Sequence, residues 1–328
     1  MRFISRIKNV VVICLICLIL PYQKILAGCI RYDQKDVVVG LLSTKVSTYP
    51  NEDRTAAQIT KVLQSYGAYV VLMDYNVIVK SVENEIIRRN NSYNGENYQI
   101  SRNDIIEEVV AEFIEKNHIN RILIPGNHYN ISSLPIAPTS NRQLITNAIV
   151  KIVNKNHCIH LFGICGGLQG IMYASGIKIS RVQNMVNSHI SAASHVVSMP
   201  DPRSVDTNLH KVLILPDNRL LGILNALNYK LHVEDKQMVI YVPDAHSEAV
   251  DNSMENVERM YSLGYKIIAL SEDGIIEAIE DKYGNIYVQF HPEYLLVNVE
   301  KKRAINNTEL HTSIIIADAI IRDFLYRE

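Results

Sequence analysis

Buried-strand patterns alternate with amphipathic-helix patterns through the first half of this chain, and this alternation constrains the fold more than any other feature. The strand-like runs lie at residues 36–44, 68–75, 121–127 and 158–164, and the helical periodicity lies at residues 52–66, 104–117 and 140–155. This alternation predicts an α/β fold in which a mostly parallel central sheet is flanked by helices. In such a sheet, ligands bind beyond the carboxyl ends of the strands.

The pattern changes after about residue 177, where strand-like runs follow one another without long helices between them. These runs lie at residues 210–216, 235–242, 265–281 and 285–294, and a final helical segment covers residues 310–328. They predict an antiparallel C-terminal lobe. Because no convincing linker divides residues 36–328, we expect one domain there. The polar, asparagine-rich residues 80–103 are interpreted as a surface insertion, or as a charged helix and loop.

The first 29 residues have the pattern of a targeting segment. Arg2, Arg6 and Lys8 precede an uninterrupted apolar run at residues 10–20. That run is shorter than the ~20 residues that span a bilayer, and it matches the apolar region of a secretory signal. The residues ILAGC that end at Cys29 resemble a bacterial lipoprotein processing box.

We therefore predict that residues 1–29 are a signal peptide, a lipoprotein-type leader or a membrane anchor. The protein would then be exported, and either periplasmic or attached to the membrane, with lipidation of Cys29 as one route. The alternative is an uncleaved N-terminal anchor in the inner membrane.

Charge and histidine spacing exclude several other classes of function. The chain has 33 basic and 34 acidic side chains, so it lacks the basic excess that is typical of nucleic-acid binding. His189, His195 and His210 do not have the spacing of metal ligands, and His210 is interpreted as a structural residue at the start of a strand. We expect no nucleic-acid partner, no cofactor and no metal.

The sequence GICGG, residues 163–167, places Cys165 where an apolar strand passes into a helix. A nucleophile on such a sharp turn needs small neighbours, and Gly163, Gly166 and Gly167 meet that need. The positive end of the following helix would favour a thiolate. The segment alone leaves two interpretations open: a reactive nucleophile, or a small side chain buried at a tight turn.

The sequence QFHPEY, residues 289–294, offers a partner for this cysteine. If it forms a strand, His291 and Glu293 lie on the same face, because residues two apart in a strand point the same way. Glu293 would then orient the imidazole and leave its other nitrogen for the sulfur, as in a catalytic triad. The alternative is a solvated His-Pro-Glu turn without a catalytic role.

Together, these two motifs resemble the class I (triad) glutamine amidotransferase family. The resemblance is closest to the branch that includes γ-glutamyl-γ-aminobutyrate hydrolase, and it runs from Val37 to Tyr294. Its other matching segments are VVVGLL at 37–42, ILIPGN at 122–127, HKVLILPDNRLLGIL at 210–224, AHSEAV at 245–250 and EDGIIEAIE at 272–280.

The resemblance implies a flavodoxin-like α/β fold, a mechanism without a cofactor and a small-molecule γ-glutamyl substrate. Cys165 would attack the γ-amide carbonyl, His291 would transfer the proton, and Glu293 would orient His291. A thioester would form and be hydrolysed. The oxyanion-stabilising and substrate-binding set implied by the resemblance comprises Gly126, Asn127, Gly166, Gln169 and His246.

Several positions depart from the family pattern and place the substrate specificity in question. Asn127 replaces a common glycine, and we expect that its tolerance of positive φ still lets the peptide present its N–H group. Gly166 stands where arginine is frequent, and Glu248 stands where glutamine is expected. His246 has a second interpretation as a polar group that is hydrogen-bonded within the lobe.

The leading hypothesis is an exported hydrolase of γ-glutamyl amides. The rival from another class is a non-catalytic binding or structural protein of the cell envelope that keeps the fold. A third hypothesis is an α/β-hydrolase with a cysteine nucleophile, which predicts an acid between the nucleophile and a late histidine. The best acid here follows the histidine by two residues.

Overall fold

The computed structural model describes residues 36–46, 52–92, 101–132, 141–187, 189–196 and 209–327. The predicted leader with Cys29 and the asparagine-rich residues 93–100 lie outside this part of the chain. Among the residues described, no helix is both long enough and apolar enough to span a membrane.

Strands and helices alternate from residue 38 to residue 174, and strands predominate after that. The strands are β1 (Val38–Ser43), β2 (Tyr69–Asp74), β3 (Arg121–Ile124), β4 (His160–Ile164), β5 (Ile179–Arg181), β6 (Leu209–Ile214), β7 (His232–Glu234), β8 (Gln237–Pro243), β9 (Glu248–Val250), β10 (Tyr265–Ser271), β11 (Ile276–Asp281) and β12 (Ile286–Val288). The helices are α1 (Glu52–Ser65), α2 (Tyr75–Ser92), α3 (Arg102–Lys116), α4 (Asn141–Lys155), α5 (Gly166–Ala174), α6 (His189–Ser194), α7 (Arg219–Asn225), α8 (Met254–Ser262), α9 (Pro292–Leu296), α10 (Val299–Arg303) and α11 (Thr308–Tyr326).

One ten-stranded sheet organises the described residues, in the order β2-β1-β3-β4-β12-β11-β10-β6-β8-β7. The pairings from β2 to β12 are parallel, and those from β12 to β7 are antiparallel. The α/β class is therefore confirmed. The antiparallel strands continue the same sheet, and β5 and β9 form a separate two-stranded sheet.

Both faces of the sheet are covered, because alternate residues of a strand point to opposite sides. In β1, Val38 and Leu42 pack into one apolar cluster, whereas Val39 and Leu41 pack into the other. This burial on both faces explains why the parallel strands have almost continuous apolar sequences.

The predicted insertion at residues 80–103 is largely helical where it is described. The helix α2 starts directly after β2, because Asp74 Oδ1 accepts hydrogen bonds from the N–H groups of Asn76 and Val77, as an N-cap does. Ile78, Val79 and Val82 of this helix are buried against the sheet. Within residues 80–103 only Val82 of these three belongs to the core, and the helix agrees with the interpretation of the segment as a charged helix and loop.

Candidate active site

Cys165 occupies a strained turn between β4 and α5. Its backbone has φ 51° and ψ −111°, a conformation that a residue with a side chain rarely adopts. The side chain is 4% exposed, and its Sγ lies 3.9 Å from the carbonyl oxygen of Ala245. Such strain is typical of a nucleophile held at the tip of a strand-to-helix turn.

The glycines around Cys165 are required by close contacts. A Cβ atom at Gly167 would lie 1.9 Å from the carbonyl oxygen of Ile124, and one at Gly163 would lie 2.6 Å from Cδ1 of Ile171. A Cβ atom at Gly166 would lie 2.7 Å from Nδ2 of Asn127. The motif therefore lets α5 start directly against the end of β3, and an arginine at residue 166 would displace Asn127.

His291 and Glu293 form a buried pair, but not on a strand as the sequence predicted. Strand β12 ends at Val288, His291 is the N-cap of α9, and Pro292 is the first residue of that helix. Proline suits this position because its missing N–H group has no acceptor there. Nδ1 of His291 lies 2.8 Å from Oε1 of Glu293, so the helical turn still brings the two side chains together.

The electrostatic surroundings of His291 favour its protonated form. Burial alone lowers the pKa, but the charges of Glu293 and Cys165 and hydrogen bonds to both raise the pKa of His291 to about 9. Since Nδ1 faces Glu293, Nε2 is the nitrogen left for the sulfur. An imidazolium in this position stabilises negative charge on Cys165.

The loop after β3 closes the other side of Cys165. A Cβ atom at Gly126 would lie 2.9 Å from Cε1 of His291 and 3.5 Å from Cβ of Cys165. Asn127 does not have a positive φ, so the tolerance of asparagine for that conformation is not needed at this position. Its Oδ1 instead accepts a hydrogen bond from the N–H group of Tyr129 at 2.8 Å, which folds the side chain back onto its own loop.

A cavity of about 90 Å³ lies between these groups. It is lined by Ser43, Glu52, Thr55, Ala56, Pro125, Gly126, Asn127, His128, Cys165, Ala245, His291 and Glu293. The cavity lies beyond the carboxyl ends of β1, β3 and β4, which is where a parallel sheet binds its ligands. The structure therefore brings the predicted nucleophile, base, acid and glycine loop around one cavity.

Glu52 and Arg142 are buried residues of this region that the sequence analysis missed. Glu52 accepts hydrogen bonds from the hydroxyl group of Tyr75 at 2.8 and 3.0 Å, and its Oε1 lies 3.8 Å from Nη1 of Arg142. Arg142 also donates to the carbonyl oxygen of Pro125. The pair therefore holds the loop that precedes Gly126.

Gln169 and His246, which we expected to contact substrate, are not among the residues that line the cavity. Nε2 of Gln169 donates to the carbonyl oxygen of Glu248 and lies 3.3 Å from Oε1 of Gln289. Nδ1 of His246 lies 2.9 Å from the same carbonyl oxygen. Both side chains are hydrogen-bonded to this one buried carbonyl group, which agrees with the second interpretation of His246 as a hydrogen-bonded polar group.

The Glu248 side chain, a departure from the family pattern, also has a structural role. Its carboxylate accepts hydrogen bonds from the N–H group of Ile131 at 2.6 Å and from the hydroxyl group of Ser132 at 2.6 Å. The carboxylate thus fixes the loop that continues from Asn127. The departure at Glu248 therefore affects loop geometry and does not place a charge in the cavity.

A second polar cluster lies next to Ala245 of the cavity wall, and the histidine spacing along the chain did not indicate it. His195, His210, Asp244 and Glu277 each offer one ligand atom, and these atoms all lie within 4.8 Å of one another. Burial and the neighbouring Asp244 carboxylate raise the pKa of Glu277. The spacing of the four residues along the chain gave no signal, because they come from four different segments of the fold.

One family model matches most of this chain. Residues 71–309 match the model of the glutamine amidotransferase class-I family. A search of curated protein sequences returned no match. Among solved structures, the chain is similar to the glutaminase domain of CTPS from Trypanosoma brucei with bound acivicin, at 15% identity and a TM-score of 0.47, with 87% of this chain and 94% of that chain covered.

The chain is also similar to a glutamine amido transferase from Methylobacillus flagellatus, at 11% identity and a TM-score of 0.45, with 90% of this chain and 96% of that chain covered.

The match to the family model covers most of the described fold, from β2 to the start of α11. It includes Cys165, His291 and Glu293. The chain therefore belongs to the class I glutamine amidotransferase family.

Proposed function

We propose that this protein hydrolyses the amide bond of a γ-glutamyl compound through a thioester on Cys165. The observation that carries the proposal is the strained Cys165 at a cavity that also contains the buried His291–Glu293 pair. Acyl transfer from an amide requires a nucleophile beside a base, and an acid that orients the base.

In the first half of the reaction, the Cys165 sulfur attacks the γ-carbonyl carbon of the substrate. Nε2 of His291 holds the proton of the thiol, while Glu293 stabilises the imidazolium. The C–N bond then breaks as His291 transfers this proton to the departing amine. The products of this half are the free amine and a γ-glutamyl thioester on Cys165.

In the second half, a water molecule attacks the thioester with His291 as the general base. The C–S bond breaks, glutamate leaves and the thiol of Cys165 is restored. The backbone N–H groups of Asn127 and Gly166 are the donors that we assign to the oxyanion, because both residues lie beside Cys165 and Gly166 is the first residue of α5. Loss of one such donor costs about 3–4 kcal/mol of transition-state stabilisation.

The test uses a glutamine analogue with a chloroketone group, which alkylates a nucleophilic cysteine in a glutamine site. We expect one equivalent of label on the peptide that contains Cys165, no label in Cys165→Ala and much slower labelling in His291→Gln. The matched control is His232→Gln, because His232 forms an exposed pair with Glu234 at 2.7 Å that mirrors the buried pair. Cys165 in this control variant should be labelled at the wild-type rate.

The rival hypothesis is a non-catalytic binding or structural protein of the cell envelope. It predicts that Cys165 in the folded protein does not react faster than a free thiol with the analogue, and that no γ-glutamyl amine yields glutamate. The proposal also retains export through residues 1–29. Mass spectrometry of the mature N-terminus distinguishes a lipidated Cys29 from a non-lipidated cleaved end or an intact anchor.

A further inference from the structure

Four polar side chains from distant segments meet behind the wall of the active site. His195 follows α6, His210 lies in β6, Asp244 follows β8 and Glu277 lies in β11. One ligand atom from each residue lies within 4.8 Å of the others. His195, Asp244 and Glu277 are fully buried.

Several atoms of this cluster lack a hydrogen-bond partner although they are buried. They are Nε2 of His210, Oδ1 of Asp244, and Oε1 and Oε2 of Glu277. Buried polar atoms are nearly always paired, and an unpaired buried carboxylate is especially unfavourable. The concentration of such atoms at one point indicates that the cluster is built around a ligand.

The two ligand imidazoles present a nitrogen to the centre of the cluster. Nε2 of His195 lies 3.1 Å from the carboxylate of Asp273, and this leaves Nδ1 at 3.0 Å from Oδ2 of Asp244 and 3.6 Å from Oε1 of Glu277. A carboxylate that accepts the other ring N–H group is the usual support of a metal-binding histidine. Asp273 is itself held by the hydroxyl groups of Ser191 and Ser271.

We propose that His195, His210, Asp244 and Glu277 bind one divalent first-row transition cation, with Zn²⁺ as the best fit. Two imidazoles and two carboxylates form a nitrogen–oxygen donor set that suits Zn²⁺, whereas Ca²⁺ and Mg²⁺ prefer oxygen donors alone. The two positive charges of the ion balance the two carboxylates, of which Asp244 is hydrogen-bonded through Oδ2 alone and Glu277 through neither oxygen.

The position of the cluster gives the ion a structural role next to the active site. Asp244 and His246 flank Ala245, whose carbonyl oxygen lies 3.9 Å from the Cys165 sulfur and which lines the cavity. Nε2 of His246 lies 3.0 Å from Oδ2 of Asp244, so this residue supports the ligand from outside the set. The ion would tie α6, β6, β11 and the segment after β8 together and fix this wall.

The experiment measures zinc in the full chain, purified through a tag without histidine, stripped with a chelator and reloaded with Zn²⁺. We expect close to one zinc per chain by elemental mass spectrometry and a higher Tm than in the stripped protein. Co²⁺ in place of Zn²⁺ should give d–d absorption without a thiolate charge-transfer band. Cys165→Ser should keep the full zinc content, because the ion does not lie at the catalytic cysteine.

Three variants test the site: two replace the ligands Glu277 and His210, and one replaces Asp273, which supports the ligand His195. Glu277→Gln and His210→Gln should weaken zinc binding by more than about 100-fold, and the supporting variant Asp273→Asn by about 10- to 100-fold. His232→Gln removes an exposed histidine beside a carboxylate and should bind zinc as the wild type does. His210 is partly exposed, so its variant serves if Glu277→Gln fails to fold.

Any of three results would overturn the proposal. The first is a folded wild type that retains no zinc and shows no Tm increase with Zn²⁺, Co²⁺ or Mn²⁺. The second is equal zinc affinity in the wild type and His210→Gln. The third is loss of zinc in Cys165→Ser, which would place the ion at the cysteine. None of these results depends on whether γ-glutamyl amides are hydrolysed.

Discussion

Nδ1 of His291 lies 2.8 Å from Oε1 of Glu293, and both side chains are buried. The pair is formed at the start of a short helix, where His291 is the N-cap and Glu293 belongs to the first turn. One nitrogen of the imidazole is thereby fixed by the acid, and the other is left for Cys165. This relationship makes His291 the base of the proposed mechanism.

Replacement of Glu293 tests that relationship in catalysis. Glu293→Gln keeps the shape of the side chain but removes the charge that stabilises the imidazolium, so kcat should fall by about 10²- to 10⁴-fold. Steady-state release of glutamate measures the effect. Glu234→Gln, which changes the exposed pair with His232, should leave kcat unchanged, and an equal loss in both variants would argue against a specific role for Glu293.

The raised pKa of His291 predicts how stability depends on pH. The pKa is about 9 in the folded protein and about 6.5 in an unfolded chain. The stabilising contribution is therefore complete below pH 6.5 and is lost as the pH rises through 9. Denaturant unfolding should show the wild type losing more stability than His291→Gln as the pH rises through 9. Parallel pH curves for the two proteins would contradict the assigned pKa.

Gly126 is expected to be required for activity more than for folding. A Cβ atom there would lie 2.9 Å from Cε1 of His291, so Gly126→Ala must displace the imidazole. A displacement of about 1 Å can cost about 100-fold in rate, and we expect a loss of kcat/KM of that order with a small change in Tm. The control is Gly222→Ala in α7, where nothing lies within 4 Å of the added atom. It should keep full activity and raise the Tm.

Gly167 should be required for folding itself. A Cβ atom there would lie 1.9 Å from the carbonyl oxygen of Ile124, and backbone atoms of β3 cannot yield as a flexible side chain does. Gly167→Ala should therefore destabilise the protein by about 3 kcal/mol or more. Thermal unfolding measures this, and a Tm within 2 °C of the wild type, or about 0.5 kcal/mol, would show that the turn adapts.

Much of the fold was accessible from the sequence because buried parallel strands are apolar on both faces. The runs at residues 36–44 and 158–164 correspond to β1 and β4 for that reason. Helix α2 was harder to predict, because its charged outer face conceals the buried residues Ile78 and Val82. Asp74 at its start was the available signal for an N-cap.

The sequence predicted those residues of the candidate site that stand in short motifs. Cys165 and His291 stand in such motifs, although Pro292 starts a helix and does not continue a strand. Arg142 belongs to no motif, and Glu277 lies in the segment EDGIIEAIE without a predicted role. Only the tertiary structure brings Arg142 to the loop after β3 and Glu277 to the second cluster. The available signal for Glu277 was its position between apolar residues at the start of β11. A carboxylate buried there needs partners, so its sequence context predicts a polar cluster around it.

The most direct test of the proposed function is glutamate release from a panel of γ-glutamyl amines by the wild type and by Cys165→Ala. The wild type should hydrolyse at least one member, with a γ-glutamyl thioester trapped by mass spectrometry on rapid acid quenching. The variant should show neither release nor adduct. A wild type that releases no glutamate from any member, or a Cys165→Ala variant as active as the wild type, would contradict the account.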